Sequence, residues 1–350
     1  MRLNFITSTP LNIVEGSGTF SGIVTLARAL GKLGVSVEIV SPSLRLPVYT
    51  ASRLLFNERL PFRRMPECDA VIGFDMDGYR LAGRNGPRHI ASIKGVIADE
   101  MRFERGVTRR TMAIQAACER LHVRRADRVI TTSRYAAGRL QALYGIQTAG
   151  IVPELIDLAA WRELFARHPA PPNPGRFTVL SVCRFYPRKR LHLLLQAAGR
   201  LRLEIPELEI RIVGGGPEAA RLRKLCQELR LTNFVRFPGD LSQDELAAEY
   251  NRADVFCLPS VQEGFGIVFL EAMAAAKPIV AVNAAAVPEV VKHGILVPAD
   301  DAASLADGIH RLYRQPEMRA KLGEAGRRDV EQYDAPKVAQ AFLGEIGRSG

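Results

Sequence analysis

Long apolar runs are missing from this 350-residue chain: no stretch approaches the ~20 residues that a membrane-spanning helix needs. Met1 to Pro10 lacks a basic segment followed by a longer apolar one, so it reads as a first strand and not as a secretory leader. Cysteine is scarce. Cys68, Cys118, Cys183, Cys226 and Cys257 are odd in number and never spaced C-x-x-C, which argues against a zinc site or a disulfide framework. Reduced core thiols in a cytoplasmic protein are the expectation. Aromatic residues make up 7%, and Phe103 alone interleaves with the arginines of 102–128, so no stacking-type nucleic-acid motif is visible. There is no Gly-Lys-Ser/Thr phosphate loop, no complete G-x-G-x-x-G with its acidic follower, and no internal repeat.

What is present fits two ordinary globular domains, with 47% hydrophobic and 24% charged residues. The net charge of +11 is lopsided: residues 1–150 carry 22 basic against 12 acidic side chains, whereas the remainder is nearly neutral. A basic first half implies an anionic partner such as an acidic membrane surface, a phosphorylated acceptor or nucleic acid. Short apolar runs at 3–8, 36–41, 70–74, 89–93, 128–131 and 150–152 predict strands, with helices at 19–33, 109–125 and 133–144 between them. After the Pro/Gly-rich segment 170–175 a second series begins. Strands are expected at 177–183, 208–213, 234–237, 255–258, 279–282 and 295–297, and helices at 191–203, 218–229, 243–251, 267–276 and 302–314. Strand–helix alternation twice over predicts an α/β protein of two doubly wound Rossmann-like domains, whose ligands lie beyond the carboxyl ends of the strands. The expected division is 1–160 and 161–334.

The segment Pro259-Ser-Val-Gln-Glu263-Gly-Phe-Gly266 follows a strand and opens a run, Ile267 to Ala276, that is apolar on every side except at Glu271. A helix apolar all round is buried, and a buried carboxylate needs donors. A ribose diol would supply two. Gly264 and Gly266 allow close backbone approach, and the helix start that follows suits a diphosphate. Glu263 stands in the loop, free to address another part of the same ligand. The plain alternative makes Glu271 an exposed helix residue and Glu263 a loop charge. Arg184 leaves another strand, and Lys189 sits at the start of the next helix, where cations oppose the dipole and call for an anion. A solvated basic loop is the competing reading. Two glycine turns, Gly16-Ser-Gly18-Thr19 and Gly214-Gly215-Gly216-Pro217, also join strands to helices.

Together these segments resemble the family-4 retaining glycosyltransferases of the GT-B architecture, most strongly over 177–300. The resemblance rests on the E-x7-E pair Glu263 and Glu271, on Arg184 and Lys189, on the Gly214–Pro217 turn, on Phe237-Pro-Gly239 and on Val287-Pro-Glu289. It implies that Arg184 and Lys189 bind the diphosphate of a nucleotide-sugar donor, that Glu271 holds the ribose, and that Glu263 holds the transferred sugar. Backbone at Phe265 and Gly266 would touch the phosphates, the Gly214–Gly215 turn and Phe237 would line the nucleotide, and the Gly16–Thr19 turn would close over it. The C-terminal helix, 335–347, would pack back on the first domain. The chain departs from the family pattern at three places: Lys94 where relatives carry a histidine, Val152-Pro-Glu154 where they carry Asn-Gly, and Ala284-Ala-Ala286 where they carry paired glycines. Lys94 either contacts the donor sugar or phosphate or is a plain strand-end lysine.

The resemblance further implies front-side transfer of a hexose-type sugar with retention, no metal or other cofactor, and a glycan or lipid-linked acceptor in cell-surface polysaccharide or glycolipid synthesis. Asp75-Met-Asp77 invites a metal reading, but no carboxylate cluster adjoins it, and an acceptor-side role for Asp75 is the better fit. The arginines of 102–128, with Arg59, Arg63 and Arg64, suit a cytoplasmic protein held peripherally at the inner membrane face. A solvated helix face would look the same. The rival functions are a nucleotide-sugar epimerase on the same plan and, on charge alone, a nucleic-acid-binding protein, although no nucleic-acid partner is expected.

Overall fold

The structure, a computed structural model, describes residues 1–10, 13–43, 48–169 and 175–347, with only the backbone described at 13–17. The chain divides into two compact units: Met1–Leu155 with Ala335–Gly350, and Ile156–Asp334. Residues 170–174 of the Pro/Gly-rich segment lie outside the described residues.

The first unit runs β1 (Arg2–Ile6), α1 (Ile13–Lys32), β2 (Ser36–Val40), α2 (Tyr49–Arg59), β3 (Ala70–Phe74), β4 (Arg88–Ile93), α3 (Ile97–Glu100), α4 (Gly106–Arg125), β5 (Arg128–Thr131), α5 (Arg134–Tyr144) and β6 (Gly150–Ile151). Its six strands pair in parallel in the order β2-β1-β3-β4-β5-β6. Every residue of β3, a continuous apolar run covered on both faces, is buried, and so is every residue of the mixed run β5. Ser133 caps α5, its Oγ accepting the Ala136 N–H, and Gly145 ends the helix in the left-handed conformation.

The second unit runs α6 (Leu158–Arg167), β7 (Phe177–Val182), α7 (Leu191–Leu201), β8 (Leu208–Val213), α8 (Ala219–Glu228), β9 (Val235–Gly239), α9 (Gln243–Arg252), β10 (Val255–Leu258), α10 (Ile267–Ala274), β11 (Ile279–Val282), α11 (Val287–Val290), β12 (Ile295–Val297), α12 (Ala302–Arg314) and α13 (Pro316–Asp329). Its six parallel strands lie in the order β12-β11-β10-β7-β8-β9. The order therefore reverses between β7 and β10, the place where a doubly wound sheet opens a crevice for ligand. The last helix, α14 (Ala335–Gly347), belongs to the first unit, where Ala335, Val338, Ala339, Phe342 and Ile346 join the core around Leu3, Phe5 and Leu30.

Candidate functional site

The site in the second unit is built on that reversal point. Beyond β7 the chain passes Arg184 and makes one tight 3-10 turn, Pro187–Lys189, closed by Arg190 at φ 50°. The turn carries Lys189 inward, where it is buried. Beyond β10 the loop 259–266 carries Glu263 to the same place, and Lys189 Nζ donates to Glu263 Oε1 at 2.6 Å. Backbone bonds tie the loops together: Val261 N–H donates to Arg188 O at 3.0 Å, and Ala286 N–H donates to Glu263 O at 3.3 Å. Ala285 holds φ 52° beside that contact. An L-residue pays about 1 kcal/mol or more there, so the turn is dictated by its surroundings and not by glycine.

The glycine turn after β8 is fixed by close approach. Gly214 has φ 114°, and a Cβ on it would lie 2.1 Å from Cys183 O. Gly215 lies between Arg184 and Asp240, and Arg184 Nη1 donates to Asp240 Oδ1 at 3.1 Å. Phe237, within β9, packs its ring edgewise on Phe185 and takes the Arg223 guanidinium over its face at 5.7 Å. Gly264 lies in the loop after β10, Phe265 is buried edge-on to Tyr333, and Gly266 starts α10 at φ 97°, where a side chain would strike the Phe269 ring. Ser260 Oγ and Gln262 Oε1, both in this loop, are buried with no hydrogen-bond partner among the described residues.

Glu271 lies one turn into α10 and is buried. Its partner is a residue that the sequence pattern did not single out: Tyr250 Oη, from α9, donates to Glu271 Oε2 at 2.7 Å. Burial pushes the Glu271 carboxyl up to about 7, the tyrosine bond only partly offsetting the loss of water. Arg184, Lys189, Glu263, Glu271, Gly214, Gly215, Phe237 and Gly264–Gly266 thus all sit on the loops, strand ends and helix start at the carboxyl edge of one sheet.

The remaining candidates belong to the first unit. Gly16, Gly18 and Thr19 do not form a turn ahead of a helix: α1 begins at Ile13 and includes all three. The expected start at Thr19 is corrected, because the apolar stripe Ile23, Leu26 and Leu30 anchors a helix that propagates through both glycines at about 1 kcal/mol each. Asn12, the first residue of that expected turn, lies outside the described residues.

Lys94, at the end of β4, donates from Nζ to Glu154 Oε2 at 3.1 Å, both side chains being buried. Two departures from the family pattern are therefore one ion pair. Asp75 holds φ 52° after β3, its Oδ1 accepting the Lys94 N–H at 2.8 Å. Its carbonyl accepts from His122 Nδ1 at 2.5 Å, which fixes the tautomers: His122 carries its proton on Nδ1, so His89 Nε2–H donates to His122 Nε2 at 2.8 Å. Asp77 is fully buried and spends both oxygens on Arg53, Ser8 and Asn57. No group of three or more potential metal ligands occurs among the described residues.

Residues 164–329 match the family model of glycosyl transferases group 1. The chain is 32% identical over 234 residues to a D-inositol 3-phosphate glycosyltransferase of Streptomyces bingchenggensis, covering 62% of this chain and 51% of that protein. It is 36% identical over 181 residues to a GDP-mannose-dependent alpha-(1-6)-phosphatidylinositol monomannoside mannosyltransferase of Mycobacterium tuberculosis, covering 49% of this chain and 46% of that protein. The chain thus spans about half the length of these curated relatives. Among solved structures, sucrose-phosphate synthase from Thermosynechococcus elongatus superposes with a TM-score of 0.85 at 21% identity, over 99% of this chain and 98% of that one. HepE of Anabaena, solved with UDP and glucose, gives 0.73 at 17% identity, over 99% of both chains. The two six-stranded parallel sheets are those of the GT-B fold.

Proposed function

We propose, from the premise that residues 164–329 form a glycosyl transferases group 1 domain, that the chain transfers a hexose-type sugar with retention from a nucleotide-diphosphate sugar to a glycan or lipid-linked acceptor. The product would be part of a cell-surface polysaccharide or glycolipid. One observation carries the reading: the buried 2.6 Å pair of Lys189 and Glu263 stands at the strand-order reversal, with Arg184 on the same strand end. In this reading Arg184, Lys189 and the N–H groups opening α10 take the diphosphate, which offsets its charge without a metal. Glu271 accepts from the ribose hydroxyls and Glu263 from those of the sugar.

The pairing also bears on mechanism. A carboxylate held by an ammonium at 2.6 Å is a poor nucleophile, so Glu263 is unsuited to a double displacement. The alternative balances without it. The bond from the anomeric carbon to phosphate breaks, the acceptor oxygen bonds to the same face, and its proton passes to the departing phosphate oxygen. A peripheral position at an anionic membrane fits the basic first unit, and no helix among the described residues is long and apolar enough to cross a membrane.

A thermal-shift screen against UDP-, GDP- and ADP-sugars tests the donor reading, since a ligand of the native state raises its melting temperature. Chelator should leave the shift intact. NMR of the product made from the donor so found should show the donor's anomeric configuration, and an inverted product would refute the mechanism.

A further inference from the structure

Arg184 and Lys189, at the carboxyl edge of the second sheet, each already hold a carboxylate, and the two pairs differ in kind. Lys189 and Glu263 meet at 2.6 Å with side chains only 11% and 9% exposed. Arg184 and Asp240 meet at 3.1 Å with side chains 28% and 35% exposed. A single nitrogen, Arg184 Nη1, donates to Asp240 Oδ1 at 3.1 Å and to Oδ2 at 3.4 Å, so the pair lacks the two parallel bonds that make an arginine–carboxylate fork strong. Breaking the first pair would strand a buried charge, whereas a pair open to water is held weakly. Asp240 directly follows β9, whose last residue, Gly239, takes φ 88° with nothing among the described residues within 4 Å of where a Cβ would stand. The space beside the pair is kept clear by Gly215, where a Cβ would lie 3.3 Å from Asp240 Oδ2 and 3.8 Å from Arg184 Nη1. Of the two cations, Arg184 is the one that exchanges its partner at lower cost.

We propose that Asp240 is a counter-anion which the diphosphate of the nucleotide-sugar displaces from Arg184, and which competes for Arg184 again against the nucleoside diphosphate that transfer leaves behind. The inference deepens the donor reading and rests on it. Asp240 touches no substrate in this scheme; it is a positioning residue that acts through Arg184. Donor and product differ in charge where the arginine meets them. The diphosphate of a nucleotide-sugar is esterified at both ends, whereas the product has a free terminal phosphate and is the more negative of the two. With no competing anion, Arg184 and Lys189 would hold the product harder than the donor, and release would limit turnover. A carboxylate returning to Arg184 repels the more negative ligand more strongly and so narrows that gap. Glu263 is unsuited to this task, because it is buried against Lys189 and its carbonyl is tied to the Ala286 N–H at 3.3 Å. Nor is the Arg184–Asp240 pair needed to hold the loops together. Gly214 N–H donates to Gly239 O at 2.8 Å, and Phe185 packs edgewise on Phe237.

The test measures binding of UDP, GDP and ADP to the full chain by titration calorimetry, for the parent, Asp240→Asn and Asp240→Glu. Asparagine keeps the size and an acceptor for Arg184 but not the charge. It should bind the nucleoside diphosphate that the parent binds about three- to tenfold more tightly, and the gain should shrink at high salt. The matching nucleotide-sugar should gain less. Glutamate restores the charge and should return the affinity toward the parent's. Melting temperatures of both variants should stay close to the parent's, because a pair open to water contributes little stability. In an Arg184→Gln background, Asp240→Asn should alter affinity by less than about twofold, since the aspartate acts through that guanidinium. Three results would overturn the inference: no tighter binding by Asp240→Asn, weaker binding by it, as for a residue that contacts the nucleoside, or a gain that persists in full without Arg184. A parent that binds none of the three nucleoside diphosphates would overturn the donor reading and this inference with it. Parental binding that Asp240→Asn leaves unchanged overturns this inference alone.

Discussion

Glu271 is held in a way that ties stability to pH. Its folded-state value of about 7 lies above the ordinary 4.5, so the folded protein prefers the protonated acid. Such a group contributes stability below pH 4.5 and loses it as pH rises through 7. With 2.5 units between the two values, the loss approaches about 3 kcal/mol at pH 8. Glu271→Gln keeps the shape and an acceptor for Tyr250 but cannot ionise. Its urea-unfolding free energy should therefore exceed the parent's by on the order of 2–3 kcal/mol at pH 8, with the difference vanishing near pH 4.5. If Glu271 holds the donor's ribose as proposed, the same variant should bind donor more weakly at pH 8, where the parent's carboxylate is ionised and can accept two hydroxyls. A pH-independent stability difference would mean that the carboxyl does not titrate in that window.

At the scale of elements, the ends of β4 and β6 are joined by the buried pair of Lys94 and Glu154. Removing one partner strands the other charge, at roughly 3–5 kcal/mol, whereas replacing both by apolar side chains of similar volume is nearly neutral. Lys94→Met and Glu154→Leu should each lower the unfolding free energy by that order, while the double variant returns toward the parent, so the losses in a double-mutant cycle should be strongly non-additive. Additive losses would show that the pair is not formed in solution.

The same two ends illustrate what the sequence could disclose. All twelve strands were legible as short, largely apolar runs, most plainly β3, β7, β10 and β11, which are buried along their whole length. Helices α2, α6 and α13 were not read: α2 buries a mostly polar face of Thr50, Ser52, Arg53 and Asn57, α6 follows a strand too short to mark a boundary, and α13 is strongly polar. Glu271 was singled out by the cost of burying charge, and Arg184 and Lys189 by cations set at a helix start, whereas Glu263 rested mainly on the resemblance. Tyr250 and Asp240 were not, since each reaches its partner from another element and carries no local signature. The early start of α1 was missed because glycine normally marks a turn, and here tertiary packing of its later turns outweighs that preference.

Over the whole molecule the chain is not two beads in succession. The first unit is completed by its last residues, so β1 and α1 depend on a helix some three hundred residues away. Phe342 of α14 is 1% exposed and sets its ring against Phe5 at 6.3 Å. Arg88 Nη1 donates to Ile346 O, and Arg128 Nη2 meets Glu345 Oε2 at 3.0 Å, both groups at the start of strands. Truncating a buried phenylalanine costs about 3–5 kcal/mol, a large share of a domain's stability. Phe342→Ala should therefore raise amide exchange in β1, α1 and β3, whose core it leaves, without raising it in β7, β8 and β10. If the donor site lies within Ile156–Asp334, the nucleotide-sugar thermal shift should survive this substitution at temperatures where the second unit remains folded. Equal loss of protection in both sheets would instead mean that the two units unfold as one, and that donor affinity depends on the C-terminal helix.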